Sequence, residues 1–408
     1  MSSLWREKLI KNVFLKKILD SIVGKGAYSI FTLLFSLVCT RLFGAEIFGE
    51  YTYAFTIITI LSIAAKFGLD NGLIYSLPKN KYKHVSFSFL ANFVISILLI
   101  VVVWLLTDNK ILKLMLPIVW LYSVEYLFFS LYRSDGKFKE FYKINGFLSM
   151  VIRIGFVVLL FYILGQNIYS IIIATYISFI FSNIIYFIQN KYKFEKLILD
   201  VGLLTYSFPL LLSNMVSLLM GRIDILMLGS LGTKTEVGIY QIVVQISGLI
   251  SVILVIFISV FAPRVANYYH NGEIEKIRQL YTKTTRVLFI LSLMITMMII
   301  LLSEFILSIF GKDFINGQMA LIYMCIGQFV NVAVGAVWTL MSMTGKPKFQ
   351  LYSNIISLIL SVILNLLLIP KFGMNGAAIS TMFTISFTNI IGYVVVKKEF
   401  KVKVFKFI

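Results

Sequence analysis

Residues 87–106 read FSFLANFVISILLIVVVWLL, twenty positions without a charged side chain. A helix of about that length crosses the roughly 30 Å hydrocarbon core of a bilayer. In that medium every backbone N–H and C=O must be satisfied within the protein, which leaves helices or a closed barrel. Similar apolar runs recur along all 408 residues, with 59% hydrophobic and 13% charged positions. A soluble domain carries about 25% charged residues. An all-α integral membrane protein is therefore expected. Its twelve transmembrane helices are placed near 18–41, 50–77, 85–107, 111–132, 143–164, 168–190, 203–230, 237–262, 286–310, 317–343, 350–369 and 374–396.

The net charge of +19 would suggest nucleic acid in a soluble chain. Here the positions of the basic residues decide. With twelve spans, twenty-seven of the 37 Lys and Arg fall in the ends and loops on the side of the N-terminus, and six on the opposite side. Cytoplasmic segments are the ones enriched in Lys and Arg. Both termini are thus expected in the cytoplasm, and much of the charge is topology signal and attraction to anionic lipid rather than a nucleic-acid surface. Cys39 and Cys325 lie in apolar runs and read as small core residues. His84 and His270 are far apart, with no metal-ligand or triad spacing. The N-terminal segment is basic before its first apolar run, with no small-residue cleavage site, and reads as a retained helix rather than a signal peptide. Segment 263–285, the longest between spans, reads as an amphipathic interfacial helix.

Two pairs of segments repeat. FGEYTYAF from Phe48 and VGIYQIVV from Val237 each place Gly-x-Tyr at the start of an even-numbered span. SDGKFKEFYKIN from Ser134 and MTGKPKFQLYSN from Met343 each open the fifth span of a half with Gly-Lys-x-Lys. The halves are read as parallel six-helix repeats: residues 1–190, an inter-lobe loop at 191–202, and 203–408 with a basic tail. Substrate sites in such proteins lie at the repeat interface near the midplane. In LNLLLIPKFGMNGAAISTM, from Leu364, small residues and a turn at Gly373 form the short hairpin between the last two spans.

Four stretches carry a family resemblance: RLFGAEIFGEYTYAF, KFGLDNGLIYSLPK, RIDILMLGSLGTKTEVGIYQIVVQI and LNLLLIPKFGMNGAAIST. In this order the chain resembles the multidrug/oligosaccharidyl-lipid/polysaccharide (MOP) exporter superfamily, in its polysaccharide branch, and most of all Wzx-type flippases. The resemblance implies two six-helix lobes around a central cavity that opens alternately to each side. The implied substrate is an undecaprenyl-pyrophosphate-linked oligosaccharide, an O-antigen or capsule repeat unit, moved from the cytoplasmic to the outer leaflet of a bacterial inner membrane. Partners in that setting are membrane lipids, a polysaccharide polymerase and glycosyltransferases.

A charge at the bilayer centre costs at least about 2.5 kcal/mol, so each intramembrane charge is a functional candidate. Lys25, Lys66, Arg153 and Arg222 are candidate cations for a pyrophosphate, Arg being suited to bidentate phosphate contacts. Asp70, Glu125 and Asp224 are candidates for binding H⁺ or Na⁺, or for holding the cations in place. Tyr28, Thr32, Thr59, Asn145, Asn214, Gln328 and Asn331 fall on polar helix faces that could meet sugar hydroxyls. Bland readings stand beside these. Polar stripes also serve helix contacts, Lys66 and Asp70 are spaced as an i, i+4 pair, and Lys25 and Arg222 are near enough to span ends to snorkel. Arg222 and Asp224 are about 200° apart on a regular helix and are not direct partners. No cofactor and no metal are expected. A Na⁺- or H⁺-coupled multidrug exporter of the same superfamily is the rival function, and a non-transporting assembly protein a third. No acidic sugar-nucleotide motif or Gly-rich phosphate loop supports an enzyme or direct use of ATP.

Overall fold

The structure, a computed structural model, describes the backbone of residues 2–80, 82–402 and 404, and the side chains of 23, 24, 26–77, 82–402 and 404. Among the described residues the regular elements are all helices, and nine are long and apolar enough to cross a membrane. Two of these nine bend at glycine. Ser2–Ala65 is interrupted at Gly44 (φ 79°, ψ 178°), and Pro347–Phe400 at Gly373 (φ 53°, ψ −132°). The span expected at 111–132 is divided at Leu116–Pro117 into Lys110–Met115 and Ile118–Ser134. The twelve spans counted from sequence take the arms of the two bent helices separately and the two pieces of 111–132 as one.

The chain divides into two compact units, Met1–Leu218 and Leu219–Ile408. The sequence places that division in the 191–202 loop. In the structure most of helix Val201–Met220 packs within the first unit. The reason lies at Gly68 and Gly72, where an added Cβ would stand 2.3 Å from the Ser207 carbonyl oxygen and 2.4 Å from its hydroxyl. Leu203 joins Leu69 and Leu73 in the buried core of this unit.

Several expected spans are broken helices. The second arm of Ser2–Ala65 stops before Lys66, and the chain passes through Phe67 (φ 50°) and Gly68 (φ 72°) into Leu69–Asn80. The seventh span breaks at Gly221–Arg222, so Asn214 and Asp224 lie on separate helices. The tenth breaks before Val337, with Gly335 at φ 78°. In the fifth, Lys143–Leu148 forms a π-helical turn between Phe138–Tyr142 and Ser149–Leu164. Such turns carry an extra residue per turn and recur at functional sites.

The repeated motifs build the same local structures in each unit. Gly136 (φ 70°) and Gly345 (φ 77°) end their helices in the left-handed conformation. The following amides then donate back five residues, Lys137 to Tyr132 at 2.8 Å and Lys346 to Met341 at 2.9 Å. This is the Schellman closure, which needs a residue that tolerates positive φ. The tyrosines of the two Gly-x-Tyr motifs are also equivalent. Tyr51 meets the Thr175 hydroxyl at 3.1 Å, and Tyr240 meets the Thr381 hydroxyl at 3.3 Å.

In the second unit one carboxylate ties two turns together. Glu236 completes a capping box with Thr233, and its other oxygen accepts from the Met374 amide at 3.1 Å, just past Gly373. Helix Lys234–His270 contains 37 residues. At 1.5 Å per residue it measures roughly 55 Å, well beyond a bilayer's apolar core. Segment 263–285 therefore continues two spans as a helical hairpin turned at Gly272 (φ 72°), and is not a separate interfacial helix. Arg278 and Arg286 of this hairpin donate to the carbonyls of Phe400 and Val404, each at 2.8 Å, and so hold the C-terminal segment.

Gly68→Ala is expected to lower the thermal midpoint of the purified protein in detergent. Positive φ and the approach to Ser207 together cost about 1–3 kcal/mol. Gly155→Ala, in a helix with nothing within 4 Å, should leave the midpoint unchanged or raise it. Equal midpoints for the two variants would refute the close-packing role of Gly68.

Candidate functional site

Buried polar groups of the first unit are spread over several helices, and one cluster surrounds Lys66 and Glu125. At the break after Ala65, the Lys66 ammonium lies 2.6 Å from Asp70 Oδ2, and both side chains are mostly buried. The same ammonium stands 4.5 Å from the centre of the Tyr126 ring. Tyr126 donates to the Tyr122 hydroxyl one turn earlier on helix Ile118–Ser134. That helix also carries Glu125, buried at 3% exposure. Glu125 Oε2 accepts from the Asn145 side-chain amide at 3.0 Å, and Oε1 from the Ser182 hydroxyl. Three helices therefore hold one carboxylate. Asn145 comes from the π-helical turn, where Gly146 lets the backbone approach Tyr28 and the Gly24 carbonyl of the first helix.

Tyr28, Tyr122, Glu125 and Asn145 line a cavity of about 370 Å³ together with Tyr126, Phe129, Phe141, Tyr142 and Ser29. This volume is within the range of small-molecule sites.

Arg153 occupies a separate, closed position. Its Nε donates to Ser178 Oγ at 2.8 Å, and the guanidinium lies 4.7 Å from the Phe179 ring centre and 5.7 Å from that of Phe35. It is 4% exposed, and no described carboxylate is within ion-pair distance. Two ring quadrupoles and one hydroxyl contact this cation directly, and Glu125 attracts it from beyond ion-pair distance.

The second unit holds a different arrangement. The buried Asp224 accepts from Tyr240 at 2.7 Å and from Thr381 at 3.2 Å, while its Oδ1 takes the Ile225 amide at 2.8 Å. Arg222, at the helix break, points instead to Gln241 Oε1 at 3.4 Å. Arg222 and Asp224 are not within ion-pair distance, and because Arg222 sits at the break, the angle of a regular helix does not set their separation. Gln328 and Asn331 bond each other at 3.3 Å on a half-buried face.

Among the polar stripes, many hydroxyls are spent locally. Thr32 donates to the Tyr28 carbonyl and Thr59 to that of Phe55, each at 2.8 Å. The Asn214 side-chain nitrogen is buried without a hydrogen-bond partner. The Lys25 side chain lies outside the described residues. The structure thus brings together Tyr28, Glu125 and Asn145 around the cavity, with Lys66 and Asp70 behind Tyr126. Sequence reasoning missed Tyr122, Tyr126, Ser182, Tyr240 and Thr381. The first two share a helix face with Glu125 at i−3 and i+1, a pattern visible in LYSVEYLFF. Ser182 and Thr381 gave no comparable signal.

Two family models match. That of the polysaccharide biosynthesis protein family covers residues 14–269, and that of the MatE family covers 209–367. Among similar proteins, the Staphylococcus aureus capsular polysaccharide biosynthesis protein CapF is 24% identical over 379 residues, 88% of this chain and 93% of CapF. The Haloferax volcanii probable low-salt glycan biosynthesis flippase Agl15 is 23% identical over 194 residues, 47% of this chain and 40% of Agl15. The probable flippase AglR of the same organism is 23% identical over 183 residues, 44% of this chain and 38% of AglR. The chain spans about two fifths of the length of these two Haloferax relatives.

An inward-facing multidrug resistance MATE transporter of the MOP superfamily superposes with a TM-score of 0.70 at 14% identity, over 92% of this chain and 94% of that one. A Pyrococcus furiosus MOP-superfamily transporter, described as having a binding pocket of reversed polarity, gives 0.66 at 13% identity, over 96% of both chains. The fold is that of MOP-superfamily transporters. Within that class, the chain belongs to the polysaccharide biosynthesis protein family.

Removing one partner of a buried ion pair strands the other charge, at about 3–5 kcal/mol. Lys66→Met is therefore expected to destabilise the protein strongly. Adding Asp70→Leu to it should recover much of the thermal midpoint. A double variant no better than the single one would show that the pair is solvated in the membrane-embedded protein.

Proposed function

We propose that this protein is a flippase that carries a lipid-linked glycan across a bacterial inner membrane. The substrate is an undecaprenyl-pyrophosphate-linked oligosaccharide, moved from the cytoplasmic to the outer leaflet by alternating access. The glycan and flippase relatives and the family membership support this reading. The observation that carries it is Arg153, a guanidinium buried in a membrane-spanning unit with no described carboxylate within ion-pair distance. Such a cation is costly unless it serves an anion, and a pyrophosphate is an anion that guanidinium binds well. Lys66, neutralised by Asp70 in this conformation, becomes available to phosphate only if that pair opens. Lys25 and Arg222 complete the proposed cationic set. Both termini face the cytoplasm, as the basic segments support. A Na⁺ or H⁺ gradient drives the cycle, with Asp70, Glu125 and Asp224 as candidate coupling groups.

The rival reading, export of small-molecule drugs, draws on the TM-score of 0.70 to a multidrug transporter. A carboxylate-rich path would suit cationic drugs better than Arg153 does.

Expression in a strain lacking its own O-antigen or capsule flippase, followed by blotting for surface polysaccharide, separates the two. Wild type should restore surface polysaccharide. Arg153→Ala, at matched membrane levels, should reduce it at least about tenfold, since one charge-assisted hydrogen bond is worth about 1.5–3 kcal/mol. Arg153→Lys should keep part of it. Drug resistance conferred without surface polysaccharide would move the exporter reading to the front.

A further inference from the structure

We infer that the cavity beside Glu125 is a subsite for one sugar ring of the carried glycan. The inference rests on the flippase reading and adds to it where, within the first unit, the carbohydrate is recognised. Six of the nine described lining residues are aromatic, and the other three are Ser29, Glu125 and Asn145. No aliphatic side chain is among them. The mostly apolar groove on helix Ile118–Ser134 makes the contrast, being lined by Leu121, Val124, Ile180, Ile184 and Ile188 along with rings and one polar residue, Asn183. A lipid chain fits the groove. The cavity instead pairs flat ring faces with hydrogen-bonding edges.

A pyranose ring has the complementary form. Its axial C–H faces are apolar, and its rim carries hydroxyls that both donate and accept. Tyrosine offers a ring face and a hydroxyl at once, and the cavity has four of them: Tyr28, Tyr122, Tyr126 and Tyr142. Glu125 is prepared for the rim. A carboxylate has about four lone-pair sites. Asn145 and Ser182 take one each from opposite oxygens, which fixes the group and leaves acceptor capacity on both. Buried in this way, a missing hydrogen bond is costly, so the site favours a ligand that supplies donors.

An organic cation is the competing guest, since rings and a carboxylate also suit one. It would have to share the Tyr126 ring with the Lys66 ammonium, 4.5 Å from the ring centre. Asp70 offsets most of the Lys66 charge, so what the guest loses is chiefly the ring face that the ammonium already occupies. The resident cation therefore turns the cavity towards a sugar.

The test is saturation-transfer NMR on the full-length protein in lipid nanodiscs, with methyl N-acetyl-β-glucosaminide and methyl β-galactopyranoside as probes and ethidium as competitor. Transfer to the ring C–H protons of at least one glycoside is expected. Tyr126→Phe should retain it, because the face remains. Tyr126→Leu should weaken binding by about tenfold or more, as should Glu125→Gln, which exchanges half of the carboxylate's acceptors for donors. Should Tyr126→Leu fail to fold, Phe129→Leu provides the same loss of a face at another wall. No transfer to either glycoside, transfer unchanged in these variants, or ethidium bound where glycosides are not would each overturn the inference. Surface-polysaccharide restoration is read separately. Restoration without glycoside binding leaves the flippase and removes the subsite. Glycoside binding that responds to the variants, without restoration, leaves the subsite and removes the transport reading.

Discussion

In hydrocarbon a peptide group has no solvent to turn to, and the placement of nearly every irregular residue here follows from that. Helices carry the chain wherever it faces lipid. Where a helix stops inside a span, its freed groups are taken up by another part of the protein. At 66–68 the Lys66 amide returns to Ser62 and the Leu69 amide to Lys66, while Gly68 seats against the Ser207 backbone. At two turns of the second unit, Glu236 supplies oxygens to the Thr233 and Met374 amides. Breaks of this kind are tolerated only where they are buried in protein or line a cavity. Polar chemistry then gathers beside them, as Lys66 and Asp70 do at one break and Arg222 and Asp224 at another.

The internal repeat shows which features tolerate change and which do not. Both units keep the glycine-closed turn and the tyrosine–threonine contact, because backbone geometry and helix approach depend on them. Their charges have diverged. Tyr51 meets Thr175 near a caged arginine, whereas Tyr240 and Thr381 converge on Asp224. One scaffold thus presents a cation in the first unit and an acid in the second.

Much of this was legible in the sequence. Long uncharged runs read as helices, and the Gly-x-Tyr and Gly-Lys-x-Lys motifs marked the repeat, the second because its glycine takes a positive φ. Lys66 and Asp70 were legible as a pair because their spacing lies within one helical turn's reach. Glu125 was visible as an anomaly, but not its partners, since Asn145 and Ser182 arrive from other helices at distances along the chain that no local period encodes. The aromatic cavity was hidden for a different reason. In a chain with 36 Phe and 22 Tyr, rings that line a site look the same as rings that face lipid. The helix breaks were equally hard to foresee, because glycine in an apolar run serves close packing as often as it marks a bend.

The π-helical turn at Lys143–Leu148 has an evolutionary consequence. Removing one residue from it would let the segment relax into an ordinary helix, shifting register by about 100° on one side of the turn. The approach of Asn145 to Glu125 would be lost, while the helix itself and its lipid-facing surface would survive. A single codon deletion could therefore re-face the interior wall without threatening insertion into the membrane, giving the lineage an inexpensive route to altered selectivity.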